Sequence, residues 1–200
     1  AKAYPADIGV EVSSLAIQVF GGMGYIEETG VAQHYRDARI APIYEGTNGI
    51  QAMDLVGRKL PAAGGAAWRH LLGKIRDDAA VLEGELAAWR DDLTQAAQAL
   101  ETASDWLLRR GGERPDDAAA GAVPYLRLFA TVLGAHLLAE QARAAARAQA
   151  AGGNDPFHAA KIATARFYIE QILPPAVALL GPLTRGADAH YALNEAQLAL

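Results

Sequence analysis

The 200-residue chain is 52% hydrophobic and 20% charged with a formal net charge of −5, a balance that suits a folded globular core and excludes a general electrostatic pull toward nucleic acid or anionic lipid. It contains no cysteine, which excludes disulfide staples, thiolate metal sites and thiol nucleophiles and makes a reducing compartment, the cytoplasm, the expected location. Apolar runs such as 172–183 and 126–138 are broken by Arg127, His136, Pro174 and Pro175 and fall short of the roughly 20 residues of a membrane span, so neither a membrane segment nor a signal peptide is expected.

The first element is a helix over 6–20, where Ile8, Val12, Leu15, Ala16 and Val19 recur at the spacing of one buried face. The chain opens at Ala1 directly before it, as if continuing from a longer polypeptide. Gly21-Gly22-Met23-Gly24 stops that helix. A second helix is predicted over 27–40, with Thr29 as N-cap and Pro42 as its stop. Residues 43–48 read as a loop, and Ile50, Met53, Leu55, Val56 and Leu60 predict a third helix capped by Thr47 or Asn48. Pro61-Ala62-Ala63-Gly64-Gly65 is a linker by composition, so the domains are expected at 1–60 and 66–200 with 61–65 between them. Beyond it, alanine-rich helices are predicted at 68–89, 91–110, 117–151 and 156–173, with turns at Gly111-Gly112, at 152–154 and at Pro174-Pro175. Leu126, Phe129, Leu133 and Leu137 form the apolar stripe of the third of these. No segment alternates as a strand does, so the fold class is all-α: a helical domain followed by a second, antiparallel helical bundle.

The residues themselves offer few places for chemistry. The glycine run follows a helix rather than a strand, so it fails the context of a dinucleotide-binding turn, and a glycine C-cap explains its spacing. Tyr44-Glu45-Gly46-Thr47 puts a carboxylate on a glycine-flexed loop before a helix start, where it could act as a base beside a bound ligand. Spacing by itself favours the plainer reading, an acidic residue offsetting the helix dipole. His34, His70, His136, His158 and His190 show no ligand spacing, and no metal is expected. Ser13-Ser14 lacks the setting of a nucleophile and should bond back to the preceding turn. The tryptophans Trp68, Trp89 and Trp106 read as packing residues.

Three blocks taken together are specific: residues 17–25 (IQVFGGMGY), 35–40 (YRDARI) and 43–47 (IYEGT), in that order, resemble the C-terminal helical domain of the acyl-CoA dehydrogenase family. The resemblance covers about 1–60, and the helical extension beyond it is similar to the subgroup that handles larger or unusual acyl-CoAs. It implies that Glu45 is the catalytic base, taking the α-proton of an acyl thioester while a hydride leaves the β-carbon for FAD, and that the Glu45 backbone N–H helps hold the thioester oxygen. It further implies that Gln18, Gly21 and Gly22 approach the ADP part of an FAD held mainly by a neighbouring subunit, that Tyr44 and Thr47 contact FAD near their own base, and hence a homo-oligomer. Gly49 stands where many members carry a polar side chain against the cofactor, a contact that falls to Asn48. The implied substrate is an acyl-CoA oxidised to a trans-2-enoyl-CoA, and the implied electron acceptor is an electron-transfer flavoprotein. The N-terminal helical and middle β domains of that family are not in this sequence, so the chain alone is expected to be inactive. Two other readings remain: a non-catalytic oligomerisation module built on the alanine-rich bundle, and a DNA-damage-associated member of the family, against which the acidic balance speaks.

Overall fold

The computed structural model describes residues 1–198. It is helical throughout, with no strand among the described residues, as the absence of alternating segments predicts. The chain divides into two compact units, Ala1–Leu55 and Val56–Leu200.

In the first unit, α1 (Ala3–Val19) packs on α3 (Val31–Arg39) and α4 (Asn48–Asp54), and the single-turn α2 (Gly22–Tyr25) follows α1. The covered side of α1 is the one carrying Ala3 and Ser13. The Ser13 hydroxyl donates to Gly9 O at 2.8 Å and Val10 O at 3.0 Å, the back-bonding expected of a helical serine. The stripe that spacing assigns to the core is mostly open: Val12, Leu15 and Val19 are all exposed. The helix expected over 27–40 is divided. A 3-10 turn at Glu27–Thr29 ends in left-handed Gly30, and α3 starts only at Val31. Thr29 caps nothing; its hydroxyl donates back to Met23 O at 2.9 Å. The bidentate Arg36–Glu27 pair, at 3.0 and 2.8 Å, ties that turn to α3.

The second unit is a bundle of α5 (Ala66–Ala80), α6 (Arg90–Glu113), α7 (Pro115–Ala150) and α8 (Pro156–Phe167), closed by short helices α9 (Leu173–Val177) and α10 (Leu180–Leu183) and ended by α11 (Glu195–Leu198). The core lies between α6, α7 and α8, where Trp89, Leu93, Leu100, Leu107, Tyr125, Leu128 and Ile169 are fully buried. The predicted helix over 68–89 ends early at Ala80, because Glu83 is extended and a 3-10 turn over Gly84–Trp89 brings Leu86 and Trp89 inward. The Arg90 guanidinium caps that turn by donating to Leu82 O. Gly111-Gly112 makes no turn; α6 runs through both, and the break falls at extended Arg114, the residue before Pro115, where proline disfavours helix. Pro174-Pro175 opens α9 instead of ending α8, since a proline in the first turn forfeits no helical bond.

The apolar stripe chosen on α7 is the wrong face. Tyr125, Leu128, Val132, Ala135, Ala139 and Ala142 are buried, while Leu126, Phe129 and Leu133 are half-buried and Leu137 is 51% exposed. At Gly134 a Cβ would sit 2.6 Å from the Tyr168 hydroxyl, so a side chain there would displace that tyrosine. By length and composition α7 could cross a membrane, contrary to the expectation from its broken apolar runs. In this fold it is the central helix, flanked by α6 and α8.

Polar groups lock this core. Ser104 and Tyr125, both fully buried, share a hydrogen bond of 2.8 Å. Asp117, 1% exposed at its side chain, pairs with Arg110 at 2.7 Å and accepts from Ala187 N–H at 2.8 Å, which anchors the turn after α10 to the start of α7. That backbone donor and the two nearby guanidinium groups hold the Asp117 carboxyl below its usual value. His136, buried 3.6 Å from Asp78, is pushed down by burial more than the carboxylate raises it.

Candidate active site

Glu45 sits on the loop between α3 and α4, with its side chain exposed. Its backbone is in the left-handed region, φ 54°, and Gly46 follows at φ 78°. Left-handed geometry at a residue with a Cβ is disfavoured and persists only where the surroundings impose it. Here they do. The Gln51 side chain donates to Glu45 O at 3.1 Å, Lys2 Nζ donates to Gly46 O at 2.9 Å, and Asn48 N–H donates to Pro42 O at 3.0 Å. Glycine is favoured at 46, for a Cβ would be strained at that φ and would come 3.1 Å from Gln51 Nε2, crowding the amide that holds Glu45 O.

Thr47 is the N-cap of α4: its hydroxyl accepts from Ile50 N–H at 3.4 Å, and its backbone oxygen accepts from Gln51 N–H at 3.1 Å. The capping hydroxyl keeps its own proton as a donor. Tyr44 is half exposed beside Glu45. The amides at this helix start are largely used internally: Asn48 N–H donates to Pro42 O, and Ile50 and Gln51 N–H to Thr47. Asn48, expected to stand in for a cofactor contact at Gly49, is also committed inward. Its amide donates to Ala3 O at 3.0 Å and Asp7 Oδ1 at 2.6 Å and accepts from Lys2 at 2.9 Å.

Gln18, Gly21 and Gly22 are exposed at the other end of α1. Gly21, at φ 59° and ψ −141°, ends the helix, and a Cβ at Gly21 or Gly22 would meet nothing within 4 Å, so the backbone there is open to a ligand. Gly24 differs: it is buried, and a Cβ there would come within 2.9 Å of Ile17 Cα, so its missing side chain lets α2 lie against the α1 backbone. The Glu45 loop is tied to the first turn of α1 and the glycine turn follows its last, so the 17 residues of the helix hold the two sets roughly 25 Å apart. The structure therefore does not bring the six expected site residues into one cluster; it makes two patches.

Sequence reasoning overlooked Lys2 and Gln51. Only contacts with the backbone of residues distant in sequence mark Lys2, and pattern alone carries no such signal. Among the described residues, no group of three His, Asp or Glu side chains converges as a metal site would require.

The glutamate loop and the glycine turn both lie within a segment that a family model matches. Residues 1–60 match the family described as acyl-CoA dehydrogenase, C-terminal domain, and residues 71–194 match the one described as acetyl-CoA dehydrogenase C-terminal like. The chain belongs to the acyl-CoA dehydrogenase family, of which it forms a C-terminal portion.

It is 46% identical over 179 residues to 3-methylmercaptopropionyl-CoA dehydrogenase of Ruegeria pomeroyi, covering 86% of this chain and 30% of that protein. It is 32% identical over 182 residues to a butyryl-CoA dehydrogenase of Syntrophomonas wolfei, covering 86% of this chain and 29% of that protein. The mitochondrial short-chain specific acyl-CoA dehydrogenase of Homo sapiens is 47% identical over 60 residues, 30% of this chain and 15% of that protein. The chain thus spans about 30% of the length of the first of these relatives.

Proposed function

We propose that this chain supplies the catalytic base and part of the flavin-facing surface of an FAD-dependent acyl-CoA dehydrogenase that oxidises an acyl-CoA to a trans-2-enoyl-CoA. The observation that carries the proposal is Glu45, an exposed carboxylate on a left-handed, multiply bonded loop inside the 1–60 segment that matches the family. Strain of this kind is retained where a side chain must be aimed.

Glu45 takes the α-proton of the thioester. The electron pair of that C–H bond becomes the new π bond as hydride leaves the β-carbon. FAD, when bound, is the acceptor of that hydride. A carboxylate suits the step because losing water as substrate closes over it makes it a stronger base toward an α-proton acidified by hydrogen bonds to the thioester oxygen. The Glu45 backbone N–H is one such donor, so its fixed peptide orientation matters as much as its side chain.

Tyr44 and Thr47 would hold the flavin beside Glu45. Gln18, Gly21 and Gly22 face the ADP part of a second FAD, one held mainly by a neighbouring subunit. The separation of these patches along α1 supports that division, and with it a homo-oligomer. Electrons leave to an electron-transfer flavoprotein, in the cytoplasm. The 200 residues by themselves leave Glu45 open to water, so the walls that desolvate it belong to other parts of the enzyme and the isolated chain is inactive. The alanine-rich composition of the second unit gives less support to a pure oligomerisation module, since Ala96, Ala97, Ala103, Ala135 and Ala142 are all buried within that unit.

The test is a chimaera in which this chain replaces the matching part of the Ruegeria protein, loaded with FAD and mixed with a panel of acyl-CoAs that includes methylthio-substituted propionyl-CoA. Bleaching of the flavin by wild type, and its loss in Glu45→Gln with FAD still bound, is the expected result. Bound flavin that no acyl-CoA bleaches would overturn the reading.

A further inference from the structure

The Glu45 loop is held from α1 by a side chain for which the reaction itself has no use. Lys2 Nζ donates to Gly46 O and to Asn48 Oδ1, both at 2.9 Å, and lies 5.8 Å from the Tyr44 ring centroid. Asn48 in turn is fixed to Ala3 O and Asp7 Oδ1. From the other side, Gln51 holds Glu45 O at 3.1 Å. The two successive left-handed residues therefore have each carbonyl gripped by a different helix, Glu45 O from α4 and Gly46 O from the start of α1. The bond to Glu45 O fixes the peptide that adjoins the Glu45 Cα–Cβ bond, and the bond to Gly46 O fixes the next peptide, so together they limit how far the loop can turn that Cα–Cβ bond.

We propose that Lys2, acting with Asn48, is a positioning residue that aims the Glu45 carboxylate. The inference rests on Glu45 being the base. Lys2 does not act on substrate: its ammonium is spent on a backbone oxygen, an amide oxygen and a ring face. Its role follows from the cost of misaiming. A base must meet one particular proton, and displacement by about 1 Å lowers the rate by roughly 100-fold. An exposed loop with two residues in the left-handed region has no packing of its own to hold such a tolerance; among its large side chains, Ile43, Tyr44 and Ile50 are all at least half exposed.

The test uses the FAD-loaded chimaera with Lys2→Met, Lys2→Arg and Asn48→Leu, alongside hydrogen exchange of the 200-residue chain. Lys2→Met is expected to lower kcat by about 10- to 100-fold with KM changed by less than about twofold. Arginine, which can still reach a carbonyl and an amide oxygen, restores most of the loss. Asn48→Leu, which leaves the charge in place and removes the anchor to Ala3 and Asp7, lowers kcat in the same direction. Exchange of the 44–47 amides quickens in Lys2→Met and Asn48→Leu while that of α3 is unchanged. Unaltered kcat in Lys2→Met overturns the proposal, as does an Arg variant no better than Met, or a loss of kcat accompanied by faster exchange throughout α1 and α3, which marks simple unfolding. Turnover retained by Glu45→Gln sinks the base assignment instead. Faster loop exchange with kcat intact sinks the positioning role alone.

Discussion

The two units are stabilised by different means. All of the largest fully buried side chains, Trp89 and Tyr125 among them, lie in Val56–Leu200. In Ala1–Leu55 the buried apolar residues are Ala3, Val31, Ala32 and Ala52, while Val12, Leu15, Val19, Phe20, Ile40 and Met53 remain exposed. The second unit is held by its core and sealed by a few buried polar bonds. The first is held by directed bonds to its backbone, from Lys2, Asn48, Gln51 and Thr29, and by the Arg36–Glu27 pair. The proposed base, Glu45, sits in the unit where orientation, not burial, is specified.

The sharpest way to break this comparison is truncation in each unit. Trp89→Ala, at a site 2% exposed, should cost about 3–5 kcal/mol of unfolding free energy in urea. Val19→Ala, at a site 84% exposed, should change it by no more than about 0.5 kcal/mol. Similar losses at the two sites would show that the first unit has a core of its own.

A smaller effect is expected at the buried Ser104–Tyr125 bond. Ser104→Ala leaves the Tyr125 hydroxyl without its partner and should cost about 1–3 kcal/mol, whereas adding Tyr125→Phe should recover part of that loss in a double-mutant cycle. Additive losses would show that the hydroxyls do not depend on one another.

Acid should weaken the second unit in two windows. His136 is lowered from 6.5 by burial, so its neutral form favours the folded state; that contribution is complete above pH 6.5 and is lost as pH falls through the lower folded value. Asp117 is lowered from 3.8, chiefly by the Ala187 N–H, so its contribution is complete above 3.8 and is lost at still lower pH. Thermal melts of His136→Gln should lose the upper window and those of Asp117→Asn the lower. A His136→Gln variant with unchanged pH dependence below 6.5 would remove histidine from the account.

The smallest change is expected for the i,i+4 pair Lys74–Asp78, whose lysine is exposed: Lys74→Met should alter stability by no more than about 0.5 kcal/mol. A larger loss would mean that Asp78 depends on Lys74 to remain beside His136.

The sequence was legible where one local cause sufficed. Thr47 caps α4 because a threonine before an apolar helix has a free hydroxyl in reach, and Gly21 ends α1 because it accepts a positive φ. It misled where two causes competed. At Gly111-Gly112 the helix continues and Pro115 ends it, and at Thr29 the side chain turns back to Met23 rather than capping forward. On α7 the stripe of Leu126, Phe129, Leu133 and Leu137 lies beside the most deeply buried face, which mixes Tyr125, Leu128 and Val132 with alanines and so carries no clear apolar periodicity.

The candidate site divides in the same way. Sequence by itself determined an all-α chain, the family blocks at 17–25, 35–40 and 43–47, and a glutamate on a glycine-bearing loop, because these depend on residue type and near neighbours. Only the tertiary structure decided that Glu45 is left-handed, that Lys2 and Gln51 grip the loop's carbonyls, and that α1 holds the glycine turn far from Glu45. Bonds between residues more than forty positions apart depend on how helices pack, and no periodicity along the chain encodes that.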